Sequence, residues 1–167
     1  MAQPRRSASR QDGGLEGARL LVVEGRFYDD IADALLAGVK RACQKAGVSF
    51  DLISVPGALE IPQAMAMTLD VAHARHKPYD GAVALGCVIR GETSHYDIVA
   101  GESARALMDL ALKLRMPVGN GILTVDTQAQ ALARAHPDEG DKGGWAVEAA
   151  LSLVRLKRRF QSLRDRR

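Results

Sequence analysis

Four short apolar runs, each trailed by a segment whose apolar residues recur at three- and four-residue spacing, decide what this chain can fold into. The runs are Ala18–Glu24, Ser49–Val55, Gly81–Ile89 and Val118–Thr124. Only Ser49–Val55 alternates even loosely, so most of these strands have no face to spare for water. Strands of that kind, alternating with helices, belong in a parallel sheet covered on both sides. The expected fold is α/β: a three-layer αβα sandwich on a four-stranded parallel sheet, flavodoxin-like in outline.

The intervening segments read as helices. Asp29 and Asp30 suit a first helical turn, Leu35, Val39, Ala42 and Ala46 follow at helical spacing, and Gly47 is a natural stop. A second helix runs from about Leu59 to Ala74, with Ile61, Met65, Leu69 and Ala72 on one face, until Lys77-Pro78 breaks it. A long third helix, Ser94 to about Arg115, is expected to turn Val99, Ser103, Leu107, Leu110 and Leu114 inward. Short helical turns fall near 127–135. The last helix starts at about Gly144 and is expected to bury Ala146, Ala149, Leu153, Leu156, Phe160 and Leu163. Residues 1–16, rich in Gln, Ser, Gly and Arg, read as a disordered leader. Residues 17–163 read as one domain, and 164–167 as a basic tail.

In open parallel sheets ligands bind beyond the carboxyl ends of the strands. Those ends are Gly25–Tyr28, Pro56–Glu60, Arg90–His95 and the residues around 120–127. The third is the most informative. The run Ala84-Leu-Gly-Cys-Val-Ile-Arg-Gly-Glu-Thr-Ser-His-Tyr-Asp97 leaves an apolar strand, turns at Arg90-Gly91 and enters a helix. Free backbone N–H groups and the positive dipole end favour an anion there. His95 is the side chain at that turn whose ordinary titration suits proton transfer near neutral pH.

The other ends admit two readings each. Phe27, one of three phenylalanines, either packs back onto the core or offers a flat ring to a heterocycle. Glu60 either complements a helix dipole or accepts from ligand hydroxyls. Arg134 and Lys142 either form surface salt bridges or clamp a phosphate. Cys87, mid-strand among apolar residues, reads as a small core residue rather than a nucleophile.

Several function classes are set aside. Aromatics are 4% of the chain, and the net charge of +3 comes largely from basic residues at the two ends, with no aromatic platform beside them. A solvated helix face explains those ends better than a nucleic-acid interface, so no nucleic-acid partner is expected. The four histidines and two cysteines lack metal-ligand spacing, no GxxxxGK[ST] occurs, and Gly119-Asn-Gly121 lacks a third glycine for a dinucleotide fingerprint. No metal is expected. Without a membrane-length apolar run or an apolar leader, a cytoplasmic location is the default.

The residues at these ends also occur together in one family. Arg26-Phe27, Val55-Pro-Gly-Ala-Leu-Glu-Ile-Pro62, Ala84 to Asp97, Pro117-Val-Gly-Asn-Gly-Ile-Leu-Thr124 and Lys142-Gly143 resemble, in order and spacing, the 6,7-dimethyl-8-ribityllumazine synthases. The resemblance runs from about Ala18 to Phe160.

It implies a transferase of riboflavin biosynthesis that uses no cofactor. The expected reaction condenses 5-amino-6-(D-ribitylamino)uracil with 3,4-dihydroxy-2-butanone 4-phosphate, giving dimethylribityllumazine, phosphate and water. Phe27 would stack on the pyrimidine, the Ala58-Leu59-Glu60 turn would hold the ribityl chain and ring edge, and Cys87, Val88 and Ile89 would offer backbone groups to the uracil. Glu92 and Thr93 would bind the phosphate through backbone N–H, with Arg134 of a neighbouring subunit as countercharge and Lys142 assisting. His95 would transfer protons.

The resemblance further implies a homopentamer, or a multiple of pentamers, with sites between subunits, and names riboflavin synthase as a candidate further partner. Three positions depart from the common pattern. Tyr28 stands where Asn is frequent, Asn120 where an aromatic from the adjacent subunit often closes the pocket, and Asp138 where some members carry Lys. The competing expectation is a second-copy homologue of low activity that mainly binds lumazine or flavin.

Overall fold

The computed structural model describes residues 14–165. In chain order the elements are β1 (Arg19–Gly25), α1 (Asp29–Ala46), β2 (Ser49–Val55), α2 (Glu60–Ala74), β3 (Gly81–Ile89), α3 (His95–Leu114), β4 (Val118–Val125), α4 (Gln128–Ala135) and α5 (Lys142–Arg164). The four strands form one sheet in the order β2-β1-β3-β4, and every neighbouring pair is parallel. This is the expected three-layer α/β arrangement.

Both faces are closed by apolar side chains. Leu20, Val22, Val83, Leu85, Leu123 and Val125 face the layer of α1, α4 and α5. Leu21, Val23, Ala82 and Ala84 face α2 and α3, against Ile61, Met65, Leu69 and Leu107. The alternation along β1 and β3 is thus apolar on both sides, which removes any solvent face and makes the parallel sheet obligatory. α1 starts with Asp29 and Asp30 at its positive end and stops at Gly47, whose φ of 65° lets its N–H close onto the last carbonyls.

Strand order places the site. The chain leaves β1 towards β2 on one side, then returns to lay β3 on the other side of β1. The crevice of such a sheet opens where the winding reverses, between the carboxyl ends of β1 and β3. Phe27 and the turn before His95 follow those two ends.

Two helix faces differ from expectation. On α3 only Ser103 and Leu107 are fully buried, while Leu114 is exposed. On α5 the buried set is Gly143, Gly144, Ala146, Val147, Ala150, Leu151 and Val154. Of the expected inward residues only Ala146 is buried; Ala149, Leu153, Leu156, Phe160 and Leu163 face outward. The helix carries two apolar stripes, and the one with the smallest residues wins because it alone permits close approach to its neighbours. A Cβ on Gly143 would lie 2.0 Å from the Leu35 carbonyl oxygen.

Residues 1–13 of the expected leader, and Arg166 and Arg167 of the expected tail, lie outside the described residues. Leu15 is buried in the core, and Arg158 of α5 donates to the carbonyls of Gly14 and Glu16 at 3.0 Å each.

Candidate active site

The carboxyl edge is assembled by backbone before any side chain takes part. The Arg26 N–H donates to the Val55 carbonyl at 2.9 Å, extending the β1–β2 ladder by one bond. Directly above, Gly25 meets Gly57: a Cβ on Gly25 would stand 2.9 Å from the Gly57 carbonyl carbon. A side chain at position 25 would push the turns after β1 and β2 apart, so the approach requires Gly25. Phe27 and the 58–60 turn are therefore held side by side.

Phe27 is 72% exposed. Tyr28 lies edge-on to it at 5.0 Å between centroids, and Tyr28 packs against the core. The ring does not fold back onto the core; it stands over the edge with a face open. Ala58 is buried, Leu59 half-buried and Glu60 exposed at the start of α2. The Glu60 carboxylate leans over its own turn, with Oε2 3.3 Å from where a Gly57 Cβ would sit.

At the end of β3, Cys87 and Ile89 pack towards the α1 layer while Val88 is buried on the other face. Burial, and secondarily the Asp30 carboxylate, push the Cys87 thiol up to about 11, so it is protonated at neutral pH and unsuited to attack. Cys43 is likewise raised to about 11, by burial and then by Glu148. Between an unfolded value of 9.0 and a folded one of about 11, the folded state binds more protons. Its stability therefore falls as pH rises through that window. Thermal melting at pH 8 and pH 10.5 checks this, and a Cys43→Ala variant should show a shallower decline than the wild type.

Beyond Ile89 the Arg90 N–H donates to the Val125 carbonyl at 2.9 Å. The Arg90 guanidinium lies 3.9 Å over the Tyr96 ring and reaches Asp97 at 3.2 Å and Asp126 at 3.4 Å. It thus joins the exits of β3 and β4 and braces Gly91–Ser94. Glu92, Thr93 and His95 are all exposed, and the His95 N–H points at Thr93 Oγ1 at 3.4 Å. Backbone N–H groups of Glu92 and Thr93 fall outside both the ladder and the helix. The turn can accept an anion, with an imidazole one residue beyond it.

Three expected residues stand apart from this group. Asn120 is the third residue of β4, paired with Ala84, and its Oδ1 accepts from the Ile122 N–H at 3.0 Å. It is exposed, and five residues short of the strand end, roughly 16 Å at ~3.3 Å per residue. Arg134 is half-buried near the end of α4, in the layer opposite α3, and donates to the Gln130 carbonyl at 3.0 Å. Lys142 opens α5 beside the middle of α1, its Nζ 5.5 Å from the Trp145 ring centroid. One chain therefore gathers Phe27, Ala58–Glu60, Cys87–Ile89 and Glu92–His95, and leaves Asn120, Arg134 and Lys142 elsewhere.

One further acid stands at this edge. Glu24 is 2% exposed at the end of β1. Its Oε1 accepts from Ser54 Oγ at 2.7 Å and from Arg26 Nη1 at 3.3 Å. Arg26 also reaches Asp29 and Asp33, each at 2.9 Å. The available signal was a lone carboxylate closing a run of Leu-Leu-Val-Val, two residues from an arginine on the same strand face.

Comparison with known proteins places the sequence in a family. The sequence profile of the family described as 6,7-dimethyl-8-ribityllumazine synthase matches residues 17–158. A protein of that name from Rhodopseudomonas palustris (strain BisA53) is 57% identical over 160 residues, 96% of this chain and 98% of the relative. One from Azorhizobium caulinodans is 58% identical over 159 residues, 95% and 98% of the two chains. One from Methylorubrum extorquens (strain PA1) is 62% identical over 144 residues, 86% and 83%.

Proposed function

This chain belongs to the 6,7-dimethyl-8-ribityllumazine synthase family, and on that premise we propose how its residues divide the work. The enzyme condenses 5-amino-6-(D-ribitylamino)uracil with 3,4-dihydroxy-2-butanone 4-phosphate to 6,7-dimethyl-8-ribityllumazine, phosphate and water, in riboflavin biosynthesis. Identity above one half over nearly the full length of both chains carries that assignment. Mixing the two substrates and following lumazine absorbance together with phosphate release tests it. Bound product without turnover would support a binding protein instead.

The pyrimidine stacks on Phe27, whose open face is the observation behind this placement. Glu60 accepts from ribityl hydroxyls, Ala58 and Leu59 shape the turn beneath, and backbone groups of Cys87, Val88 and Ile89 read the uracil edge. The butanone phosphate lies at Glu92 and Thr93, bound by their N–H groups. Imine formation, phosphate elimination and ring closure each move protons, while the substrate amine is itself the nucleophile. The protein has to supply position, an anion site and one acid/base group, which is His95.

His95→Ala should lower kcat about 10- to 100-fold and leave measurable turnover, since positioning by the other groups survives. Full wild-type kcat in that variant from pH 6 to pH 8 would remove His95 from the proton transfers.

Arg134, Lys142 and Asn120 complete the site from a neighbouring copy, in a homopentamer or a multiple of pentamers. Two observations support this: the depth of Asn120 in β4 with Arg134 and Lys142 in the layer opposite α3, and the exposed apolar side chains on α3 and α5, among them Met108, Leu112, Phe160 and Leu163. A species sedimenting only as a monomer would contradict it. No helix among the described residues is long and apolar enough to cross a membrane, and we place the enzyme in the cytoplasm.

A further inference from the structure

We propose that Glu24 is a positioning residue that fixes the pyrimidine platform through Arg26, an inference that rests on the placement of the pyrimidine at Phe27. Phe27 is mostly exposed and is held by little of its own packing, so its backbone neighbours must fix it. One guanidinium grips both sides of it: Arg26 stands immediately before Phe27, and its Nε and Nη2 bind Asp29 and Asp33 after it. Asp29 and Asp33 are themselves 78% and 69% exposed, and pairs so open to water hold weakly. Glu24 is the buried partner. It ties Arg26 to the sheet and, through Ser54, ties β1 to β2, the strand that leads into the 58–60 turn.

The cost of keeping Glu24 shows that packing alone does not explain it. Its Oε2 is buried without a hydrogen-bond partner among the described residues. A half-satisfied buried carboxylate is unfavourable, and an apolar residue would suit the end of this strand better if nothing depended on the charge. The neighbouring turn that depends on it carries the ring and lies against the turn that carries Glu60.

Glu24→Gln preserves size and an acceptor for Ser54 but removes the charge. It should raise KM for the ribitylaminouracil about tenfold, by misplacing the stacking ring, while KM for the butanone phosphate stays within about twofold. Arg26→Met should give the same one-sided change, and the double variant no more than either single. Comparable rises in both KM values, an unchanged pyrimidine KM, or additive single effects would overturn the inference. Phe27→Ala separates the two levels. If it raises the pyrimidine KM and Glu24→Gln does not, the positioning role fails alone; if Phe27→Ala leaves that KM unchanged, the stacking placement itself fails.

Discussion

Arg134→Ala and Phe27→Ala, each severely impaired when assembled alone, should recover about a quarter of wild-type activity when co-assembled in equal amounts. In one chain, Phe27 follows β1 at the switch point, while Arg134 sits on α4 across the sheet from α3. If each site takes Phe27 from one subunit and Arg134 from the next, a random ring gives one interface in about four with both residues intact. The single losses are large. A guanidinium on a phosphate is worth about 2–4 kcal/mol when bidentate, a factor of roughly 30 to 1000 in kcat/KM. Among the described residues the Arg134 side chain bonds a carbonyl of its own helix and no carboxylate, which suits it to pairing with an anion. Stacking of a base on an aromatic contributes ~1–3 kcal/mol. Refolding the two variants together and measuring lumazine formation at limiting substrate decides the matter. Activity equal to the average of the two separate variants would confine the site to one chain.

Gly119→Ala is expected to be, with Gly143→Ala, among the most damaging single methyls at the described glycines. A Cβ on Gly119 would fall 1.9 Å from the Ala146 carbonyl oxygen and 2.7 Å from the carbonyl carbon. Both are backbone atoms of α5, so no side chain can rotate away; the whole helix must lift from β4. That movement would open the seam where Ala146, Val147 and Ala150 meet the sheet. Overpacking of this kind costs about 3 kcal/mol or more, which for a domain of this size lowers Tm by roughly 6–12 °C. Gly121→Ala is the control, because its Cβ would meet Ala84 oxygen and neighbouring side chains at 3.0–3.1 Å, a much smaller intrusion. A Gly119→Ala protein melting within 2 °C of the wild type would show that α5 can lift from β4 at little cost.

The sheet and the helix boundaries were legible in the sequence because local patterns encode them. Runs such as Leu20–Val23 and Gly81–Ile89 have no polar phase, and Gly47 and Pro117 stop helices for covalent reasons. Burial on α5 was not legible. Its two apolar stripes have the same period, and the choice between them depends on Gly143 fitting Leu35 and Gly119 fitting Ala146, contacts between residues distant in sequence. The site divided along the same line. Phe27, Glu60 and His95 lie at strand exits, which the alternating pattern locates directly. Asn120, by contrast, does not reach that edge, because the register of β4 on β3 sets its depth. In the sequence Glu24 only closes an apolar strand; the fold brings Ser54 beside it and bends Arg26 back over it.

The contact of Gly143 with Leu35 also orders events during synthesis. The two residues are 108 positions apart in sequence (143 − 35), so α1 is made long before the helix that covers it. β1 can pair with β2 early, yet its other neighbour, β3, arrives only with Gly81. Until α5 follows, the inner side of α1, with Leu35 and Val39, has only the sheet to pack on and lacks Ala146, Val147, Ala150 and Leu151 beside it. A topology so dependent on late partners folds slowly and leaves apolar surface bare in the nascent chain. Growing chains crowded on one messenger would be at risk of sticking to one another until the final helix has emerged.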